Sequence, residues 1–232
     1  MIGILVELLI SWLLLRWFNK SNLSVLGITL SQKNTFNFLV GFLAASFFCV
    51  FYYIANSYLA NTHYNINEEF RTHQFFKSTW WVLSSVLFEE LIFRGALLYI
   101  LIKKIGIKKA CIISAIAFGI YHWFSFGAFG NPVQMAIVFV MTGIWGLMFA
   151  FTYAKTKTIY LPIGLHLGWN LIHTVIFSKG PLGYQFLLIN SNKKLDGIVS
   201  LLFFLIQIIG LPIITYFYLK RLDRKKASII KE

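Results

Sequence analysis

Acidic residues are scarce in this chain: 232 residues hold eight Asp and Glu against 21 Lys and Arg. Charge of either sign is thin, at 12% of residues, where a soluble domain of this length would carry about 25%. That deficit excludes an ordinary water-soluble fold. Cysteine is nearly absent too. Cys49 and Cys111 both fall inside apolar segments and read as small core residues, not as a disulfide or a metal pair. The start of the chain has no basic stretch and no small-residue cleavage site, because Met1 runs almost directly into an apolar run; a cleavable signal is not expected. No internal repeat is evident, nor the matched broken helices that mark transporters.

What the chain has in abundance is apolar surface. Hydrophobic residues make up 58% and aromatics 18%, with a mean hydropathy of +0.73. The expected fold is an all-α polytopic transmembrane bundle of about seven spans, with residues 1–232 forming a single integral membrane domain. Apolar runs of roughly 17–25 residues place the spans at Ile2–Phe18, Phe36–Ala60, Ser78–Ile102, Lys109–Phe129, Pro132–Ala154, Ile159–Phe177 and Gly197–Leu219. The first is the weakest, being short and carrying Glu7 and Arg16. Breakers fall between spans at Asn131-Pro132 and Lys179-Gly180-Pro181.

The net charge of +13 is distributed as a membrane topology requires. Basic residues cluster beside the spans and form no face with interleaved exposed aromatics, which argues against a nucleic-acid partner. With the C-terminal tail in the cytoplasm, fifteen of the 21 Lys and Arg share that side: Arg16, Lys20, Lys33, Lys103, Lys104, Lys108, Lys109, Lys155, Lys157 and the tail residues Lys220, Arg221, Arg224, Lys225, Lys226 and Lys231. Five lie outside, namely Arg71, Lys77, Lys179, Lys193 and Lys194, and Arg94 is buried. The expectation is a multi-pass protein of the cell membrane with its N-terminus outside and its C-terminus cytoplasmic. The longest polar connections, Asn61–Lys77 and Ser178–Asp196, would then both be external.

Against this scarcity of charge, Glu89, Glu90 and Arg94 stand inside the third span. Each charged side chain near the bilayer centre costs roughly 2.5–3.5 kcal/mol on insertion scales. Glu89 lies roughly 16 Å along the helix from Ser78, near the middle of a ~30 Å core. Adjacent residues on a helix point about 100° apart, so the two glutamates cannot share a role. Glu90 and Arg94 are spaced i, i+4 with the acid first, the favourable order for an ion pair. Glu89 is left to face the interior. Two further spans carry polar residues of the right kind. The fourth places Phe118 and His122 one turn apart. The sixth places His166 and Asn170 one turn apart, with Gly164 and Gly168 bracketing His166 in a small-xxx-small pattern that lets another helix approach. A purely structural cluster of buried charges is the bland alternative. His173 shares the sixth span's face and reads as structural, and Glu7 is assigned no chemistry. His63 and His73, with Glu68, Glu69 and Arg71, read as a solvated loop. Trp12, Trp17, Trp80 and Trp81 read as interfacial belts; Trp123 and Trp169, beside the polar residues, read as packing, with the wall of a substrate pocket as the alternative.

In these residues the chain resembles the CAAX-protease and bacteriocin-processing (Abi) family of intramembrane endopeptidases. The family's three motifs stand here in order as E-E-L-I-F-R (Glu89, Glu90, Arg94), F-G-I-Y-H (Phe118, His122) and H-L-G-W-N (His166, Asn170). The resemblance covers residues 78–177, which would form the catalytic core. It implies that Glu89 acts as general base with His122 holding the water, and that His166 and Asn170 stabilise the oxyanion. Glu90, Arg94 and Phe118 would support them. The substrate would be a membrane-associated peptide or protein at the lipid bilayer, by analogy a lipidated tail or a bacteriocin or pheromone precursor. No cofactor is favoured; a zinc version would use Glu89, His122 and His166. A non-enzymatic immunity or scaffold protein and a proton-coupled or metal transporter are the competing classes. The intact ordered motifs weigh against the first, and the lack of paired discontinuous helices against the second.

Overall fold

Apolar runs do become helices, and the polar and glycine positions decide where they stop. The computed structural model describes residues 2–178, 180–191 and 193–229, with side chains described as far as Arg224; Lys179 and Lys231 lie outside the described residues. Eight α-helices follow in chain order: α1 (Ile2–Asn19), α2 (Gln32–Leu59), α3 (Thr72–Arg94), α4 (Ala96–Ile105), α5 (Ile107–Ser125), α6 (Pro132–Thr156), α7 (Tyr160–Leu171) and α8 (Gly197–Ile229). Of these, α1, α2, α5, α6 and the Gly197–Arg224 part of α8 are long and apolar enough to cross a membrane. The starts are specified locally. Ser31 accepts from the Asn34 N–H to cap α2, and Asn131 accepts from the Gln134 N–H to cap α6, with Pro132 in the first turn.

Two of the expected spans are built differently. The run Ser78–Ile102 is not one helix: it breaks at Gly95, whose backbone (φ −82°, ψ −136°) ends α3 at Arg94 and starts α4 at Ala96. A Cβ at Gly95 would sit 2.1 Å from the Leu91 carbonyl oxygen, so only glycine permits the break. Hydropathy could not reveal this, since the apolar run resumes directly after the break and no proline marks it. The run Ile159–Phe177 is helical only to Leu171 and continues as a π-helical turn over Ile172–Phe177, a form enriched at functional sites.

The connections sort to two ends of the bundle. At one end the α1–α2 link meets the α6–α7 link, where the Thr158 hydroxyl donates to the Gly27 carbonyl (2.8 Å) and Tyr160 to that of Ile28 (3.2 Å). The same end holds Lys104 over the Phe18 ring and an ion pair of Lys155 with Asp223 (2.6 Å). At the other end, the two longest polar connections pair as a small antiparallel sheet, β1 (Tyr64–Ile66) with β2 (Leu187–Ile189), in the register Tyr64 opposite Ile189. The described basic residues assigned to one side by charge counting therefore gather at one end.

The tightest seam lies between α2 and α7. A Cβ at Gly164 would fall 2.3 Å from the Phe38 carbonyl oxygen, and one at Gly168 would fall 2.3 Å from that of Phe42. The small-xxx-small pattern has the close partner it calls for. This seam fixes the rotation of α7, turning His166 away from α2 and toward α3, α5 and α6.

Candidate active site

The site grows from α3, α5 and α7, with α6 closing its floor. Glu89 and Glu90 point in different directions, as adjacent helical residues must. Glu90 and Arg94 are wholly buried, each with 0% exposure, and are bound to each other through Oε1 and Nη1 at 3.1 Å. Arg94 Nη2 donates to the Gly146 carbonyl on α6 at 3.2 Å. The guanidinium lies 4.2 Å from the Phe118 ring centroid and 5.0 Å from that of Phe149. The buried cation is held by a carboxylate, a carbonyl and two aromatic faces, although Arg94 Nε and Glu90 Oε2 have no hydrogen-bond partner among the described residues. It ties α3 to α5 and α6.

Glu90 has a second partner that i, i+4 spacing could not disclose. His166 Nδ1 lies 2.8 Å from Glu90 Oε1. A carboxylate paired with arginine accepts only, so His166 carries its proton on Nδ1. His122 is fixed in the same sense: its Nδ1 lies 2.7 Å from the Phe118 carbonyl, which can only accept. With Nδ1 engaged in each ring, both Nε2 atoms are left facing the site. Both point at Glu89, each 3.8 Å from its Oε2. Glu89 is 9% exposed, His122 7% and His166 5%. Three groups on three helices thus face one small volume. Phe149 stacks against His166 at 4.8 Å and an interplanar angle of 21°, and Phe118 packs against His122 at 4.3 Å, so neither imidazole is free to turn.

This volume is the floor of a cavity of about 730 Å³. Asn170 lines it one turn beyond His166, and no hydrogen bond engages its amide among the described residues. Aromatic rings line part of the walls, among them Trp81, Tyr121, Trp145 and Trp169. Trp81 and Trp169 thus have a cavity role beyond belt or packing, whereas Trp123 is a packing residue whose indole donates to the Met135 carbonyl at 2.9 Å. Phe149, Trp145 and Gly146 on α6 belong to no motif in the sequence. Their only signal was position, since α6 is the span between the two histidine helices. His173 lines the cavity and bonds the Tyr53 hydroxyl of α2. Glu7 lies apart, with both carboxylate oxygens buried and no partner among the described residues. His63 and His73 are exposed at the sheet end.

The donor set Glu89, His122 and His166 has the chemistry of a His₂Glu zinc site, and Glu90 behind His166 is the kind of outer partner that orients a ligating imidazole. The spacing is wider than zinc needs: bonds of about 2.0–2.1 Å at tetrahedral angles put ligand atoms about 3.3 Å apart, against 3.8 Å here. Among the described residues no group of three meets the spacing of a metal site.

No curated protein and no solved structure matches the chain. Residues 71–172 match the family model described as type II CAAX prenyl endopeptidase Rce1-like. That segment contains all of α3 to α7 and every one of the converging residues. With its apolar helices the chain is an integral membrane protein, and its residues 71–172 are similar to the Rce1-like type II CAAX prenyl endopeptidases.

Proposed function

We propose that the protein hydrolyses a peptide bond in a membrane-associated peptide or protein, with Glu89 activating the water. The observation that carries this is the convergence of Glu89 Oε2 with both imidazole Nε2 atoms, 3.8 Å each, on the floor of the cavity. A water at that point donates to the carboxylate and to His122, and Glu89 takes its proton as the oxygen attacks the carbonyl carbon. The developing oxyanion needs donors. Asn170 offers its amide directly. For His166 to donate through Nε2 its ring must carry both protons, and the Glu90 carboxylate is the counter-charge that lets it do so. Glu90 thereby acts through His166, and Arg94 holds Glu90 in place. The aromatic walls receive an apolar side chain of the substrate.

The two Nε2 atoms facing the site favour one second reading, in which Glu89, His122 and His166 hold zinc and the ion supplies the Lewis acid and the activated water. The 3.8 Å spacing favours the metal-free reading.

The test is cleavage of a quenched-fluorescent peptide library by the purified protein in lipid nanodiscs. Glu89→Gln and His122→Ala should each abolish turnover, and a chelator should leave the wild type unchanged. Turnover that survives both substitutions sinks the catalytic assignment. Chelator sensitivity reversed by zinc replaces the glutamate reading with the second one.

A further inference from the structure

We infer that the active-site cavity opens toward the extracytoplasmic end of the bundle and is closed toward the cytoplasmic end, so that its substrates are polypeptide segments presented on the outer side of the membrane. The inference rests on the catalytic reading of the cavity given above, and on two independent features of the molecule.

The first is where the cavity reaches the surface. Its exposed lining residues are Trp81, Ser125, Phe126, Gly180 and Pro181. Ser125 ends α5, Phe126 begins the link to α6, and Gly180 and Pro181 lie in the connection that leads to β2. All of these except Trp81 therefore sit in or beside the connections at the sheet end. Trp81 lies on α3 between that end and Glu89. Toward the opposite end the cavity stops at a sealed layer. Glu90 and Arg94 close it with 0% exposure, and beneath them Leu98, Ala110, Cys111 and Ala150 are also at 0%, with Tyr153 and Ala154 nearly so. No path for a peptide runs through that layer, which is packed as densely as a protein interior.

The second feature is charge. Charge counting in the sequence assigns fifteen of the 21 Lys and Arg to one side, and the contacts of Lys104 with Phe18 and of Lys155 with Asp223 put the described segments of that set at the closed end. An excess of Lys and Arg in short connections marks the cytoplasmic side. The sheet end, with the mouth, is then outside. A scissile bond reaches Glu89 from that face, and an extended segment of an exported or membrane-anchored chain is the class of substrate that can deliver it.

Thiol labelling in intact cells tests the sidedness. The two native cysteines, Cys49 and Cys111, have 0% exposure, so an introduced cysteine reports alone. Ser125→Cys at the mouth should react with a membrane-impermeant maleimide in intact cells, and Lys108→Cys only after permeabilisation. The reverse pattern, labelling of both in intact cells, or a Ser125→Cys thiol protected even after permeabilisation each overturns the proposal. Labelling asks nothing of the chemistry, so the expected pattern in a protein without peptidase activity would sink the proposed function and leave the sidedness standing. The substrate class is read separately, by comparing new peptide termini in membranes of cells making the wild type or Glu89→Gln. Termini that depend on Glu89 should fall in outward-facing segments; termini confined to cytoplasmic segments overturn the assignment.

Discussion

His166 is bound through Nδ1 to the Glu90 carboxylate at 2.8 Å, and the same oxygen is 3.1 Å from Arg94. One oxygen thus serves two tasks: it neutralises a buried guanidinium and fixes an imidazole. Glu90→Gln should lose both. Removing one partner of a buried ion pair costs about 3–5 kcal/mol because the other charge is stranded, so thermal unfolding in detergent should occur at a clearly lower temperature. Replacing the pair together, Glu90→Leu with Arg94→Met, should restore much of that stability, because apolar pairs often substitute well for buried ions. Peptide cleavage should stay lost in the double variant, since His166 has no orienting partner. Recovery of activity with stability would show that Glu90 serves the fold alone.

Asn170 offers the opposite case. Its side chain faces the cavity and makes no hydrogen bond among the described residues, so Asn170→Ala should unfold within about 0.5 kcal/mol of the wild type. Loss of one oxyanion donor should still lower kcat by about 10²–10³-fold, with KM little changed. A fall in KM-controlled binding with kcat intact would place Asn170 in substrate binding instead.

Phe149 supports the site from α6, stacking on His166 and lying under Arg94. Phe149→Leu keeps an apolar side chain but removes the flat face on which both groups rest. The expected cost is about 1–3 kcal/mol, from imperfect refilling and the lost cation–π contact. A drop in kcat larger than that of a cavity-wall variant such as Tyr121→Phe should accompany it, measured on the same peptide library.

Much of this was legible in the sequence because a bilayer leaves few options. Scarcity of charge implied helices, and basic clusters marked the links that the structure gathers at one end. The i, i+4 spacing of Glu90 and Arg94 gave their ion pair. What was not legible depended on one atom or one angle. The break at Gly95 has no proline to announce it, and the apolar run resumes directly after it. The bond from Glu90 to His166 joins positions 76 apart in sequence, and no local pattern encodes which of two adjacent glutamates a distant imidazole will meet. The aromatic walls were hidden for a different reason: Trp81, Tyr121 and Trp145 follow the same composition as lipid-facing aromatics, and only the packing separates them.

The seam of α7 against α2 decides whether His166 and Asn170 face the cavity at all. Gly168 approaches the Phe42 backbone so closely that a Cβ would lie 2.3 Å from its carbonyl oxygen, and backbone cannot yield as a side-chain tip can. Gly168→Val should push α7 outward, with a stability loss of about 1–3 kcal/mol or more. The helix would carry His166 away from both Glu89 and Glu90, so cleavage should fall further than the loss of folded protein explains. Gly143→Val on α6 is the control, since a Cβ there would meet only the Ala115 carbonyl oxygen, at an ordinary 3.8 Å. Thermal unfolding and turnover measured on both variants separate the seam from a general effect of added bulk. Equal behaviour of the two would show that α7 is not held in place by its glycines.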